Sequence, residues 1–225
     1  LTIIRIFGYL PTVQMVILAV SVLAMILGIS MAMVQDDYKR IIAYLAVGEL
    51  GYIGVGLGLG TPYSITAGLF QVNELVVTSF LFIGFGLVLY KTKTSKISKL
   101  GGLLEHMPVA ALLIVLAGFT MAGVPPFNVF QSKYMLCQAA MTAGIPELAI
   151  IMIILSIVTF LAFLKITYAI FLRPKPDDLE ISSANVPKTT MAVMFLFLII
   201  CLVIGLCPDI VTSRLGVLAL SALTL

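Results

Sequence analysis

The sequence predicts an all-α membrane protein with about six transmembrane helices, one of which is broken by proline. Of its 225 residues, 61% are hydrophobic and 10% are charged, whereas soluble domains carry about 25% charged residues. The mean hydropathy is +1.20. Because one crossing takes about 20 residues, this length allows roughly six to eight spans. A soluble fold is therefore excluded, and we expect a single transmembrane domain over residues 1–225.

Six apolar segments are long enough to cross a bilayer, at residues 12–34, 41–60, 64–90, 108–143, 147–172 and 188–207. None has the pattern of a signal peptide. The fourth segment is interrupted near Gly123, Pro125 and Pro126, and paired prolines break a helix. Non-helical backbone at membrane depth must be buried in protein or line a cavity. The break therefore indicates either a transport site or a simple proline kink.

Gly54 and Gly58 in the second span, together with Gly56 and Gly60, form two G-x-x-x-G patterns. Their Gly-x-Gly spacing also occurs in nucleotide-binding loops, but such loops need a preceding strand and a following helix. Small residues at this spacing let two membrane helices approach closely. The pattern therefore predicts helix–helix packing and no nucleotide site.

The placement of basic residues predicts the orientation of the chain. If six spans alternate, nine basic residues share one side, namely Lys39, Arg40, Lys91, Lys93, Lys96, Lys99, Arg173, Lys175 and Lys188. The other side has only Arg5 and Arg214. The positive-inside rule places the lysine-rich loops in the cytoplasm. Both chain ends are then expected outside.

Cofactor and nucleic-acid sites are not expected in this chain. Cys137, Cys201 and Cys207 have no C-x-x-C spacing, and His106 is the only histidine. Iron–sulfur clusters, haem and structural zinc need several such ligands at set spacings. The basic residues form no run outside the loops, so nucleic acid is not a predicted partner.

Ionisable side chains inside the predicted spans are the candidates for function. A charge at the bilayer centre costs about 2.5–3.5 kcal/mol, so such residues face protein or water. Lys133 follows the proline break, where desolvation of its ammonium would favour proton release. The alternative is a lysine that extends to the membrane surface.

Three further sites join Lys133 in a predicted proton or ion pathway. Gln71, Glu74 and Thr78 are spaced i, i+3 and i+7, so they share one face of a continuous helix. This polar face could line a hydrated path or bind a neighbouring helix. Glu49 in the second span could carry protons or pair with a lysine on another helix. Lys165 lies near the cytoplasmic end of the fifth span, where it could belong to the pathway or extend to the surface.

Three stretches resemble one family. Residues 35–44, QDDYKRIIAY, followed by Gly51 and Tyr52, resemble the Q-x-D-x-K-R-x-[IL]-A-Y…GY signature of antiporter-like subunits of respiratory complex I. Mrp cation/proton antiporters and energy-converting membrane-bound hydrogenases share it. Residues 123–133, GVPPFNVFQSK, resemble the family's G-x-P…F-x-x-K on a broken helix. Residues 100–103, LGGL, and 107–108, MP, resemble the entry into that helix.

The resemblance implies half of a larger fold. Family members have about fourteen spans, including two inverted five-helix repeats, and this chain resembles the second repeat plus the last helix. Another chain would supply the first repeat if the subunit is split. Lys133 matches the broken-helix lysine of the proton exit. Glu49 replaces a usual glutamine or histidine, Glu74 has no counterpart, and Leu75 and Ser79 stand where histidine and lysine are frequent.

The resemblance implies an ion-translocating subunit, for H⁺ or Na⁺, of a redox-driven complex. The expected complex is an energy-converting hydrogenase or a complex I-like assembly of the NADH or F420H2 dehydrogenase type. Iron–sulfur, nickel–iron or flavin cofactors would belong to partner subunits, since no catalytic centre is expected here. Expected partners are other membrane subunits and the lipid bilayer, in the cell membrane of an archaeon or bacterium. A non-conducting structural scaffold is the alternative, and a free-standing antiporter is a third.

Overall fold

The computed structural model describes residues 10–182 and 185–223, so Arg5 and the chain ends used for the orientation lie outside it. The described residues are mainly helical. The α-helices are α1 (Pro11–Val34), α2 (Tyr38–Gly58), α3 (Pro62–Gln71), α4 (Glu74–Thr92), α5 (Pro108–Ala122), α6 (Asn128–Thr142), α7 (Pro146–Thr167), α8 (Lys188–Leu206) and α9 (Asp209–Leu223). A short 3₁₀ helix lies at Ile97–Lys99, and a π-helix, Tyr168–Leu172, continues α7.

The all-α membrane fold is confirmed. Five helical segments are long and apolar enough to cross a membrane, namely α1, α2, Pro62–Thr92, Pro146–Leu172 and α8. The fourth predicted segment is divided into α5, itself a shorter apolar helix, and α6. The predicted break is therefore present. Beyond the last predicted span, α9 forms a further helix, and its Ala219 packs against Ile65 of α3.

The third predicted span contains a second break that the sequence analysis did not predict. Helix α3 ends at Gln71 and α4 begins at Glu74. The Val72 N–H donates to Leu69 O at 3.2 Å, so the backbone tightens to an i→i−3 turn here. Asn73 Nδ2 also donates to Phe70 O, and such side-chain bonds compete with regular helix. The prediction of one continuous face for Gln71, Glu74 and Thr78 is therefore wrong.

Glycines allow close contact between α2 and both of its sequence neighbours. A Cβ on Gly58 would lie 2.9 Å from Leu18 N of α1, and one on Gly56 would lie 2.5 Å from Gly68 Cα of α3. A Cβ added to Gly54 would likewise collide with the Ser21 side chain of α1. The interpretation of these glycines as helix-packing positions is confirmed.

Three loops meet at one end of the helices. After α1, Asp37 Oδ2 accepts from Ser95 Oγ at 2.6 Å, and Asp36 Oδ2 accepts from Ser98 Oγ at 2.7 Å. After α7, Arg173 Nη2 donates to Ser98 O at 2.5 Å. These contacts join the loops that hold most of the basic residues, so the loops share one side of the fold. Which side faces the cytoplasm stays a prediction.

Asp37 is the N-cap of α2, and its carboxylate accepts the Lys39 N–H at 2.9 Å. Partial burial alone would raise the pKa of Asp37. The hydrogen bonds from Ser95 and from the backbone N–H groups of Lys39 and Arg40 outweigh that effect, and the pKa falls below its ordinary value of 3.8. The charged carboxylate is therefore the form that ties these loops together.

The break between α5 and α6 is fixed by two glycines. Gly123 follows α5 with φ +82°, a left-handed conformation that suits glycine after a helix. Gly205 of α8 faces the break, where an added Cβ would lie 2.2 Å from Pro126 O and 2.7 Å from Asn128 N. Helix α8 therefore packs directly on the irregular backbone and holds it in place.

Candidate functional site

A buried ion pair lies at the centre of the fold. Lys133 Nζ of α6 lies 2.7 Å from Glu49 Oε1 of α2. The Glu49 side chain is fully buried and that of Lys133 is 7% exposed. The sequence left open whether Glu49 carries protons or pairs with a lysine, and the structure shows the pairing. A carboxylate and an ammonium in direct contact can exchange a proton without an intervening group.

Lys133 has two other contacts. Its ammonium donates to Met121 O at 3.2 Å and lies 4.6 Å from the centre of the Tyr52 ring. Met121 is the penultimate residue of α5, and the carbonyl end of a helix carries partial negative charge. The broken helix thus supplies a second acceptor for the same ammonium.

Glu49 is also linked to the second break. Its Oε2 accepts a hydrogen bond of 2.8 Å from Gln71 Nε2, at the last residue of α3. Each carboxylate oxygen therefore has one side-chain donor. Through Glu49, the structure brings together the predicted site residues Gln71 and Lys133.

Two asparagines that the sequence analysis did not select join the two breaks. Asn73 precedes α4, and Asn128 is the first residue of α6. Asn128 Nδ2 donates to Asn73 Oδ1. Asn128 is fully buried. Asn128 is a polar residue in an apolar segment beside the predicted proline break, and this signal could have identified it. Asn73 lies at the break that the sequence did not predict, so the same signal was lacking there.

Glu74 is buried and is joined to Thr78, whose hydroxyl donates to Glu74 Oε1. This pair lies on the first turns of α4, and Glu74 follows Asn73 directly in the chain. Among the described residues, no hydrogen bond joins Glu74 to Glu49 or Lys133 directly. The structure thus separates the polar groups into two pairs, Glu74 with Thr78 and Glu49 with Lys133.

The remaining predicted positions lie away from this centre. Lys165 is exposed, and its Nζ donates to Met33 O at 2.9 Å and Gln35 O at 3.4 Å. It therefore binds the carboxyl end of α1 near the lysine-rich loops. Leu75 is 54% exposed, and the hydroxyl of Ser79 donates to the Leu75 carbonyl. These last two side chains do not reach the ion pair.

Tyr52 links the ion pair to α7. Its hydroxyl donates to Met152 O at 2.8 Å and lies 3.2 Å from Ser156 Oγ. The ring is fully buried and lies beside the Lys133 ammonium. The sequence analysis quoted Tyr52 only as part of a family signature, whereas the structure gives it direct contact with Lys133.

A mostly apolar cavity of about 490 Å³ adjoins the ion pair, between the α5–α6 break and α7. Its wall includes Gly123, Pro125, Phe130, Lys133 and Ile157. It places apolar surface on one side of the lysine. Among the described residues, no group of three or more His, Cys, Asp or Glu side chains could hold a metal ion.

Residues 1–159 match the family described as NADH:quinone oxidoreductase/Mrp antiporter, TM. The chain belongs to this family. The resemblance inferred from the sequence signatures is thereby confirmed, and the chain is an integral multi-pass membrane protein.

Two relatives resemble this chain along most of its length. The uncharacterized protein MJ1309 of Methanocaldococcus jannaschii is 45% identical, over 92% of this chain and 44% of its own length. NADH-quinone oxidoreductase subunit N of Sulfurovum sp. is 32% identical, over 85% of this chain and 41% of its own length. The chain therefore spans less than half the length of these relatives.

Solved structures of the family show the same fold. A chain in the Mrp complex from Dietzia sp. DQ12-45-1b superposes with a TM-score of 0.86 at 23% sequence identity. The match covers 93% of the present chain and 47% of the Dietzia chain. The architecture is therefore that of the antiporter-like family, although the specific residues at each position differ widely.

Proposed function

We propose that this chain is the ion-translocating part of a membrane subunit in a redox-driven complex. The observation that carries the proposal is the buried Lys133–Glu49 pair beside the broken helix. A buried ion pair is a poor device for stability alone, because desolvation offsets most of its Coulomb energy. Ionisable groups inside a membrane are typical of proton relays. Proton exchange within this pair, biased by redox chemistry in partner subunits, would move H⁺ itself or would be coupled to the movement of Na⁺.

The complex we propose is an energy-converting hydrogenase or a complex I-like assembly. The similarity to a subunit named NADH-quinone oxidoreductase subunit N supports a redox-linked membrane complex. Iron–sulfur, nickel–iron or flavin groups would then belong to partner subunits. Other membrane subunits would surround the chain, and one of them would supply the first repeat if the subunit is split.

The test is Lys133→Met in the assembled complex, reconstituted in liposomes with its electron donor and acceptor. Loss of a proton-transfer group lowers such rates by about 10²–10⁴-fold, so we expect ion movement per electron to fall to the leak level. Thr159→Val is the matched control, because among the described residues its buried hydroxyl bonds only Leu155 O of its own helix. Unchanged ion movement per electron in an assembled Lys133→Met complex would overturn the proposal.

The alternative is a non-conducting scaffold subunit. Two observations favour it: Leu75 and Ser79 do not reach the ion pair, and no direct hydrogen bond among the described residues joins Glu74 to Glu49. A scaffold would assemble the complex and leave ion movement to other subunits. Lys133→Met and Glu74→Gln would then both leave ion movement per electron intact, which separates the two proposals.

A further inference from the structure

A second cavity, of about 910 Å³, lies at the end of the fold where the lysine-rich loops meet. Its wall is formed by the end of α4, the 3₁₀ helix and the loop that leads from the π-helix to α8. The volume is in the range of small-ligand sites, about 300–1,000 Å³. This cavity shares no wall residue with the one beside Lys133, and the proposed function does not involve it.

The cavity lies at the level of the membrane surface. The segment Pro62–Thr92 is long and apolar enough to cross a membrane, and its last two residues, Lys91 and Thr92, belong to the cavity wall. Tyr90, one residue earlier, is 44% exposed, and tyrosines are enriched where helices leave the hydrocarbon core. The cavity is therefore within reach of lipid headgroups.

Charged side chains of both signs line this cavity without pairing to one another. Lys93 and Lys99 are exposed on the α4 side of the wall, and Asp178 and Glu180 are exposed on the loop before α8. Among the described residues, none of these four side chains makes an ion pair or donates or accepts a side-chain hydrogen bond. The Lys93 ammonium lies 5.2 Å from the centre of the Tyr90 ring. Two cations and two anions are thus available to a ligand.

Several other polar groups of the wall already have partners within the protein. Lys91 Nζ donates to Ser182 O at 3.0 Å, and the Ser182 N–H donates to Lys91 O at 2.9 Å. Thr92 Oγ1 donates to Val88 O at 2.8 Å, and Ser98 Oγ donates to a carboxylate in the loop after α1. The cavity therefore recognises a ligand mainly through charge, and a neutral polyol would find few free hydroxyl groups.

We propose that this cavity binds the headgroup of a membrane phospholipid that carries both a phosphate and a primary ammonium, as phosphatidylethanolamine does. Lys93 and Lys99 bind the phosphate, as basic pockets between membrane helices do with lipid headgroups. Asp178 and Glu180 bind the ammonium, whose three N–H donors can serve two carboxylates. A glycerol headgroup has no cation for these two acids, so phosphatidylglycerol should bind less tightly.

The bound headgroup joins three segments of the lysine-rich side. Lys93 follows α4, Lys99 ends the 3₁₀ helix, and the two acids belong to the loop before α8. Together with the hydrogen bonds between Lys91 and Ser182, the lipid holds this loop against α4. A ligand that binds only the folded arrangement stabilises it. Lipid binding here does not depend on ion translocation, so either proposal can fail while the other stands.

The first experiment is a pair of cryo-electron-microscopy maps of the purified complex, in nanodiscs of phosphatidylethanolamine and of phosphatidylglycerol. In phosphatidylethanolamine we expect headgroup density in the cavity, with its phosphate within about 4 Å of the ammonium groups of Lys93 and Lys99. In phosphatidylglycerol the density should be weaker. An empty cavity in phosphatidylethanolamine, or a cavity filled by polypeptide of a partner subunit, would overturn the proposal.

The second experiment counts the lipids that stay bound to the complex in native mass spectrometry. Lys93→Gln/Lys99→Gln should lower the retention of phosphatidylethanolamine about fivefold, because two exposed ion pairs are lost. Lys39→Gln/Arg40→Gln is the control, since it removes two exposed positive charges that do not line the cavity. Equal retention by the wild type and both variants would contradict the role of the two lysines.

The acidic side chains distinguish an ethanolamine headgroup from phosphate alone. Asp178→Asn/Glu180→Gln should remove the preference for phosphatidylethanolamine over phosphatidylglycerol. Glu105→Gln/Asp177→Asn, which changes two exposed acids outside the cavity, should keep it. A preference that survives in the first variant overturns the proposal. Soluble phosphoethanolamine and inorganic phosphate are added to the lipid-free complex in the same assay, and binding as tight as that of the lipid would assign a soluble ligand instead.

Hydrogen exchange gives a readout at the loop itself. Adding phosphatidylethanolamine to the lipid-free complex should slow amide exchange at residues 176–182, because local opening of the loop becomes less favourable. The same addition should have less effect on Lys93→Gln/Lys99→Gln. If that variant does not assemble, Lys93→Gln alone is judged by the same exchange. Exchange that is unchanged by the lipid in the wild type would count against the proposal.

Discussion

Lys133 and Glu49 are 84 positions apart in the chain, yet their side chains meet at 2.7 Å in the interior of the fold. The contact joins the broken helix α5–α6 to the continuous helix α2. Gln71 extends it to the interruption between α3 and α4. The two irregular segments are thus held together by charged and amide side chains in an otherwise apolar interior.

The ion pair predicts a strong coupling between its two members. Glu49→Gln or Lys133→Met alone should lower the free energy of unfolding by about 3–5 kcal/mol, because each leaves one buried charge without its partner. The double variant should cost much less than the sum. Denaturant unfolding in mixed micelles measures the double-mutant cycle. Additive costs, within about 0.5 kcal/mol, would show that the side chains do not interact.

Gly123 and Gly144 allow backbone strain to be separated from contact with the site. Both have positive φ, +82° and +76°, so alanine at either position should cost about 1–2 kcal/mol. Only at position 123 would the new Cβ lie close to the site, 3.1 Å from Lys133 Cδ, whereas Gly144 has nothing within 4 Å. We expect similar losses of thermal stability but reduced ion movement only in Gly123→Ala. Equal ion movement in both variants would contradict the role of this contact.

Gly205 predicts that the α5–α6 break depends on close packing of α8. In Gly205→Ala the added methyl group meets Pro126 O and Asn128 N, and such overpacking costs about 1–3 kcal/mol. Gly86→Ala is the control, because nothing lies within 4 Å of its added Cβ. Alanine there should be neutral or stabilise α4 by up to about 1 kcal/mol. Thermal unfolding of both variants tests this, and equal midpoints would contradict the packing argument.

Asp37 predicts an acid-sensitive contact between loops. Its pKa is lower in the folded chain than its ordinary value of 3.8, so its stabilising contribution is complete above that value. The contribution is lost as the pH falls below 3.8 and through the folded pKa. Asp37→Asn should therefore lose less thermal stability than the wild type over this acid range. Asp177→Asn, which changes an exposed aspartate, is the control and should show the same change of thermal stability with pH as the wild type. Identical pH profiles for the wild type, Asp37→Asn and Asp177→Asn would contradict the prediction.

The sequence was sufficient to predict the helical membrane fold and the break between α5 and α6. Apolar segments of this length have few alternatives in a bilayer, and Pro125 and Pro126 remove backbone donors from a helix. The break at residues 72–73 was missed because it contains neither proline nor glycine. It arises from the Asn73 side-chain bond to Phe70 O, which hydropathy does not detect.

The site was only partly predictable. Lys133, Glu49 and Gln71 were selected because charges and amides are costly inside a bilayer, and they do meet. Their partnership across 84 positions depends on how three helices pack, and periodicity in one helix cannot define that. Lys165 satisfied the same sequence criterion, but it binds the end of α1 at Met33 O. Composition alone could not distinguish a lysine that pairs with a carboxylate from one that caps a helix.

The Met121 carbonyl gives the Lys133 ammonium a partner that never gains or loses a proton. When Glu49 accepts a proton, its attraction for Lys133 weakens, whereas the Met121 carbonyl, 3.2 Å from Lys133 Nζ in this structure, keeps its capacity to accept. The lysine therefore has one titratable acceptor and one permanent acceptor, on two different helices. Breaking the helix here creates a resting position for the cation that is independent of the charge state of the carboxylate.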